Sequence, residues 1–182
     1  MEKLPVGIIL FGKASCGKTT SLMKLAVMLA SGGEVSPAVK KAVDAEFKID
    51  EKHYKDARFI VEYKGKLAYI GTGGDTWYVC RLNCDFFSGN YNNLTDIYLI
   101  DENGVRKLDN ETKNSYKGRT PDVCVSACRP EGDGKGAVKA IHSYSEDAIM
   151  GYSRQIWVHC MDKEHETQAK ELLEIIDRHI DM

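Results

Sequence analysis

Residues 11–20 read FGKASCGKTT, and the interpretation of these ten residues decides the fold. Directly before them, Val6 to Phe11 (VGIILF) is an unbroken apolar run, the pattern of a strand buried on both faces of a parallel sheet. Directly after, TTSLMKLAVMLA puts Leu22, Leu25, Ala26 and Leu29 on one face at helical spacing, and Gly32-Gly33 ends the run. The order is therefore strand, glycine-containing loop, helix.

That order gives the loop a chemistry. Gly12 and Gly17 allow a close backbone approach and angles that a side chain disfavours. The N–H groups between them, from Lys13, Ala14, Ser15 and Cys16, can turn inward toward an anion, and the helix adds its positive N-terminal end. Gly12, Gly17, Lys18 and Thr19 fill every fixed position of GxxxxGK[ST], the spacing in which a lysine reaches the β- and γ-phosphates and a hydroxyl ligates magnesium.

On these residues the segment 6–31, about a seventh of the chain, resembles the first strand, phosphate loop and helix of the P-loop nucleoside triphosphatase superfamily. The resemblance implies an α/β, three-layer fold with a mainly parallel central sheet flanked by helices. It also implies ATP and Mg2+ held by Gly12, Lys13, Ala14, Ser15, Cys16, Gly17, Lys18, Thr19 and Thr20. It does not imply one reaction, because the superfamily includes GTPases, ATPases, motors and small-molecule kinases.

The remaining sequence is less specific. Residues 34–57 are polar and mixed, and read as an irregular connection with a helical turn or two. RFIVEY (58–63) and KLAYI (66–70) flank Lys64-Gly65 and predict a hairpin that runs into the glycine-rich loop 71–75. A helix is expected over 77–87, and Asn103-Gly104 predicts the turn of a second hairpin, in a possible insertion spanning about 90–118. Strands are expected at 121–128 and 155–160, with a closing helix over 163–180 that buries Leu172, Leu173, Ile176 and Ile180. The whole chain, 1–182, reads as a single domain.

Composition narrows the function classes. With a net charge of −2, nothing argues for binding nucleic acid or an anionic membrane. No segment reads as a membrane span or a signal peptide, and the expected location is cytoplasmic. The six cysteines read as small buried hydrophobes; the Cx3C pairs Cys80/Cys84 and Cys124/Cys128 lack the turn residues of a zinc knuckle.

Three branches of the superfamily offer comparisons. A hairpin followed by a glycine loop resembles the small GTPases, in which a DxxG loop senses the γ-phosphate. Here Gly71 stands at the Asp position and Gly74 at the Gly position, and no NKxD guanine reader occurs, so ATP is favoured over GTP. GKASCGKTT is similar to the deviant loop xKGGxGKTT of partitioning ATPases, where an early lysine, here Lys13, reaches nucleotide across a dimer. Ala14 and Ser15 replace its paired glycines, which favours an ordinary loop with a solvated Lys13. Small-molecule kinases use lid arginines on the transferring phosphoryl group. Arg129 suits that role or that of a surface residue; Arg119 and Lys135 are weaker candidates.

Magnesium-nucleotide chemistry also calls for a carboxylate at the end of a neighbouring strand. Asp75 is favoured, as a catalytic and metal-side group, over Asp101/Glu102 at the end of IYLIDE; Asp122 begins its strand and so falls at the wrong edge. His159 reads as a buried core residue. Trp77 reads as packing, or as the lining of a pocket beside residues 71–75. The expected activity is ATP hydrolysis by a Mg-ATP-binding protein. The alternatives are a small-molecule or nucleotide kinase, and a nucleotide-sensing module with a protein partner or homodimer.

Overall fold

The computed structural model describes residues 5–92, 94–129, 154–162 and 164–181. Seven strands form one sheet: β1 (Val6–Phe11), β2 (Arg58–Tyr63), β3 (Lys66–Gly71), β4 (Tyr98–Asp101), β5 (Gly104–Lys107), β6 (Val123–Cys128) and β7 (Arg154–His159). Their order is β5-β4-β2-β3-β6-β1-β7. β3, β6, β1 and β7 run parallel, β2 pairs antiparallel with β3, and β4 lies parallel to β2.

Helices cover both faces, as expected of an α/β architecture. On one face, β1 contributes Ile8 and Leu10 to a core shared with α1 (Lys18–Ala30), α2 (Pro37–Phe47) and α5 (His165–Ile180). On the other, Ile9, Tyr69 and Cys124 pack with Cys80, Cys84 and Phe86 of α3 (Trp77–Phe87), while Tyr116 of α4 (Asn110–Tyr116) borders the cluster. Ile8, Ile9 and Leu10 are all at most 2% exposed, so β1 is buried on both faces, as its continuous apolar run predicts.

Several expectations need correction. Residues 37–47 form a three-turn helix, not an irregular connection. Ser36 caps it by accepting from the Val39 N–H at 3.5 Å, Pro37 occupies the first turn, and Val39, Val43 and Phe47 are its buried face. In the second hairpin Asp101 pairs with Gly104, so Glu102 and Asn103 make the turn and Gly104, at φ 119°, opens β5. That hairpin extends the main sheet at its edge rather than standing apart as an insertion. His159 is exposed, its ring meeting Phe11 edge-on at 5.1 Å, and Trp77 is 50% exposed.

One close approach locks the layers at the end of the sheet where β1 terminates. The loop after β3 lies against the end of β6: the Arg129 N–H donates to the Gly74 carbonyl at 2.9 Å. A side chain on Gly74 would overlap the Ala127 carbonyl oxygen, part of the backbone and unable to swing away. Gly74→Ala is therefore expected to cost about 1–3 kcal/mol. Calorimetry should show the unfolding midpoint falling by roughly 2–4 °C for each kcal/mol; an unchanged midpoint would refute this packing.

Candidate functional site

The C-terminal ends of the parallel strands meet at one edge of the sheet, where loops in open α/β sheets bind ligands. Residues 12–17 leave β1 there, with Gly12 N–H donating to the Cys128 carbonyl at 3.1 Å. Gly17 turns the chain into α1 with φ 93°, and Ser15 also takes a positive φ of 61°. Gly12 is wedged between Cys16 and Cys160, where an added Cβ would lie 2.8 Å from Cys16 Sγ and 2.9 Å from Cys160 Cβ. Both glycines thus have a steric reason, one of space and one of dihedral.

Lys18 folds back over this loop. Its buried ammonium donates to the Gly12 carbonyl at 2.7 Å and the Lys13 carbonyl at 2.8 Å. Lys13 itself, with Ala14 and Ser15, is exposed. Thr19 Oγ1 points across a cleft of about 640 Å3 and donates to Asp56 Oδ1 at 2.9 Å. Asp56 is positioned by a small network: Thr72 Oγ1 approaches the same oxygen at 3.4 Å and accepts from the Ala57 N–H at 2.9 Å. Thr20, Thr72, Gly74, Asp75 and His165 also line the cleft.

The expected site residues therefore separate into two groups. Lys18, Thr19, Thr20 and Asp75 share the cleft, with Asp75 exposed on the wall formed by the loop after β3. Asp101 and Glu102 are at the opposite edge, because β4 runs against β1. Asp101 there accepts from the Asn103 N–H at 2.9 Å and pairs with Arg106 at 3.3 Å, as a turn-flanking residue does. Arg119 precedes β6 and also falls at that far edge, its guanidinium 5.2 Å from the centre of the Tyr116 ring. Asp122 behaves likewise and accepts from the Leu67 N–H at 2.8 Å. Lys135 and the loop 131–136 lie outside the described residues.

β3 is not the immediate neighbour of β1, since β6 lies between them. The end of β6 consequently delivers Cys128 and Arg129 beside the end of β1. Arg129 Nε is buried and has no hydrogen-bond partner among the described residues, an unusual condition for a guanidinium nitrogen. Cys128 is held below the ordinary thiol range by the Cys80 thiol's hydrogen bond, with help from the Lys18 ammonium. Gly71 could hold no side chain: its Cβ would sit 2.6 Å from Asn83 Cγ. Asn83 cannot easily move, because its amide donates to the Gly73 carbonyl at 2.7 Å and its oxygen accepts from Arg58 Nε at 3.1 Å.

Two residues at the site escape sequence reasoning. Asp56 sits in a charged, patternless stretch, and only the antiparallel pairing of β2 with β3 returns it to this edge. His165, at the start of α5, packs on Gly17, where a Cβ would overlap its ring, and its Nδ1 lies 3.4 Å from Ser21 Oγ. Among the described residues no group of three His, Cys, Asp or Glu side chains could hold a metal unaided, and all six cysteines are free thiols. No described helix is long and apolar enough to cross a membrane. Compared with protein-family models, curated proteins and solved structures, the chain finds no match.

The contact of Gly17 with His165 is directly testable. Gly17→Ala is expected to lower the unfolding midpoint and displace His165. A double-mutant cycle with His165→Ala should recover part of the loss, with a coupling of about 0.5–3 kcal/mol. Strict additivity would show that the two residues do not share this contact.

Proposed function

We propose that the chain binds Mg-ATP at residues 12–20 and cleaves its β–γ phosphoanhydride, as an ATP hydrolase. The observation that carries this reading is the placement of Lys18 and Thr19, at the start of α1, in one cleft with Asp56, whose carboxylate accepts from Thr19 Oγ1 at 2.9 Å. Magnesium in a nucleotide site takes one or two protein oxygens and fills its other positions from phosphate and water. Thr19 Oγ1 with Asp56, and Asp75 across the cleft, fit that donor set without any three-residue metal cluster. When bound, the ion would neutralise phosphate charge and orient the γ-phosphoryl group.

The protein's own contributions follow from the geometry. On binding, Lys18 exchanges its two carbonyl partners for β- and γ-phosphate oxygens and offsets the charge that accumulates on the leaving oxygen. The loop N–H groups and the N-terminus of α1 hold the β-phosphate. Asp56 and Asp75 orient the water of the cleft, by hydrogen bonds that a carboxylate accepts. ATP is favoured over GTP because no guanine-reading NKxD sequence is present.

The orphaned Arg129 Nε favours a second reading, phosphoryl transfer to a small acceptor. Arginine donors stabilise a transferring phosphoryl group most when they are desolvated. A nucleotide-sensing role with a protein partner shares the same site and differs only in turnover.

Incubation with γ-labelled ATP and magnesium, with and without nucleosides and nucleotides, separates these readings. Label released as inorganic phosphate supports hydrolysis, label on an acceptor supports the kinase reading, and label retained as bound ATP supports the sensor. Lys18→Ala is expected to abolish tight ATP binding in equilibrium dialysis; unchanged affinity would overturn the assignment. Asp56→Asn should raise the magnesium concentration needed for half-maximal binding by about tenfold, and Asp75→Asn by less. A variant pair that responds in the reverse order would make Asp75 the group nearest the metal.

A further inference from the structure

The cleft continues past the phosphate loop. Along α1 it reaches Lys24, and its far wall, from α2 and residues 48–54, brings Lys40, Lys48 and Lys52 to the same space. Including Lys18, five lysines face three carboxylates, Glu51, Asp56 and Asp75, so the cleft carries a surplus of positive charge. Lys40 is engaged by Asp44 at 2.7 Å. Lys24, Lys48 and Lys52 have no carboxylate within 4.0 Å among the described residues. A recess with low-dielectric walls and unpaired cations concentrates anions.

Against this arm lies a separate cavity of about 180 Å3 between α1 and α2, which shares Lys24, Lys40 and Tyr54 with the cleft. Met23, Val27, Met28, Val35 and Val43 form its apolar wall. An apolar cavity of about 150 Å3 takes up benzene, so an aryl ring or a short branched alkyl group fits here. The two carboxylates on its rim are already occupied. Asp44 accepts from Tyr54 Oη at 2.6 Å and pairs with Lys40, while Glu166 pairs with Lys170 at 3.2 Å. Of the charged groups on this rim, only Lys24 lacks an ion-pair partner among the described residues.

We propose that this cavity and Lys24 form a binding site for a small organic anion with an aryl or short branched alkyl body. The body would rest against Met23, Val27, Met28 and Val43, and the head, a carboxylate or a phosphate monoester, would meet Lys24 at the edge of the larger cleft. The site shares Lys24 with the larger cleft but does not depend on a nucleotide at residues 12–20.

The test uses the full chain labelled with 13C at its methionine methyl groups, titrated with phenyl phosphate, phenylacetate and the neutral benzyl alcohol. Ring-current shifts are expected at Met23 and Met28, saturating with a dissociation constant on the order of 1 mM for the anions. Met161, outside the cavity, should not move. Lys24→Gln should weaken both anions by up to about fivefold, whereas Lys24→Arg should retain them. Whichever anion binds more tightly identifies the preferred head group, and either order supports the site. Still methyls at about 10 mM ligand, equal binding of benzyl alcohol, or an unaffected Lys24→Gln variant with a native spectrum would each overturn it. ATP is titrated separately and read at the His165 ring resonances, so failure of nucleotide binding and failure of this site give different spectra.

Discussion

The antiparallel pairing of β2 with β3 is the constraint on which the site depends. Arg58 pairs with Gly71, so the chain entering β2 lies beside the chain leaving β3. Asp56 and Thr72 are thereby held together at the edge where Thr19 follows the loop 12–17. Had β2 joined the sheet parallel to β3, Asp56 would lie at the opposite edge, about six residues of strand away, roughly 20 Å. The site thus draws on two distant stretches of sequence, and the sheet register, more than local sequence, fixes their meeting.

The second organising feature is the insertion of β6 between β1 and β3. It sets the loop after β1 and the loop after β3 two strand spacings apart, about 10 Å. The gap is bridged from both sides, by Gly12 donating to Cys128 and by Arg129 donating to Gly74. Gly74 must be bare for that bridge to close, just as Gly71 must be bare for Asn83 to pack. These steric demands account for the glycines at 71 and 74.

Much of this was legible in the sequence, and the exceptions have identifiable causes. The first strand, its loop and its helix declare themselves because periodicity, glycine placement and apolar content agree over one continuous stretch. Helix 77–87 and both hairpins were equally readable, although the second turn is displaced by one residue. Helix 37–47 was obscured by its charged outer face, even though Ser36-Pro37 is a good start signal and Val39, Val43 and Phe47 have helical spacing. Asp56 gave no local sign, since nothing in KDA distinguishes it from Asp50 or Asp44. Asp75 lines the cleft while Asp101 lies at the far edge, and the direction of β4 that puts it there is a tertiary fact. His165 was hidden for the same reason: its partner Gly17 lies 148 positions earlier in the chain.

The bonds that Lys18 makes to the Gly12 and Lys13 carbonyls have a thermodynamic consequence. They act as an internal competitor: the loop already holds the cation that an incoming anion needs. A ligand gains from Lys18 only the difference between its own attraction and that of two carbonyl dipoles. A singly charged or neutral molecule gains almost nothing in the exchange, whereas a polyphosphate, with several charges within reach, displaces the carbonyls readily. A ligand that recruits the ammonium must first free it, so its apparent affinity falls by the fraction of time the lysine is untucked, a factor common to every such ligand. Self-engagement of Lys18 is thus a fixed handicap on the use of its charge, and it spares any molecule held by the rest of the cleft.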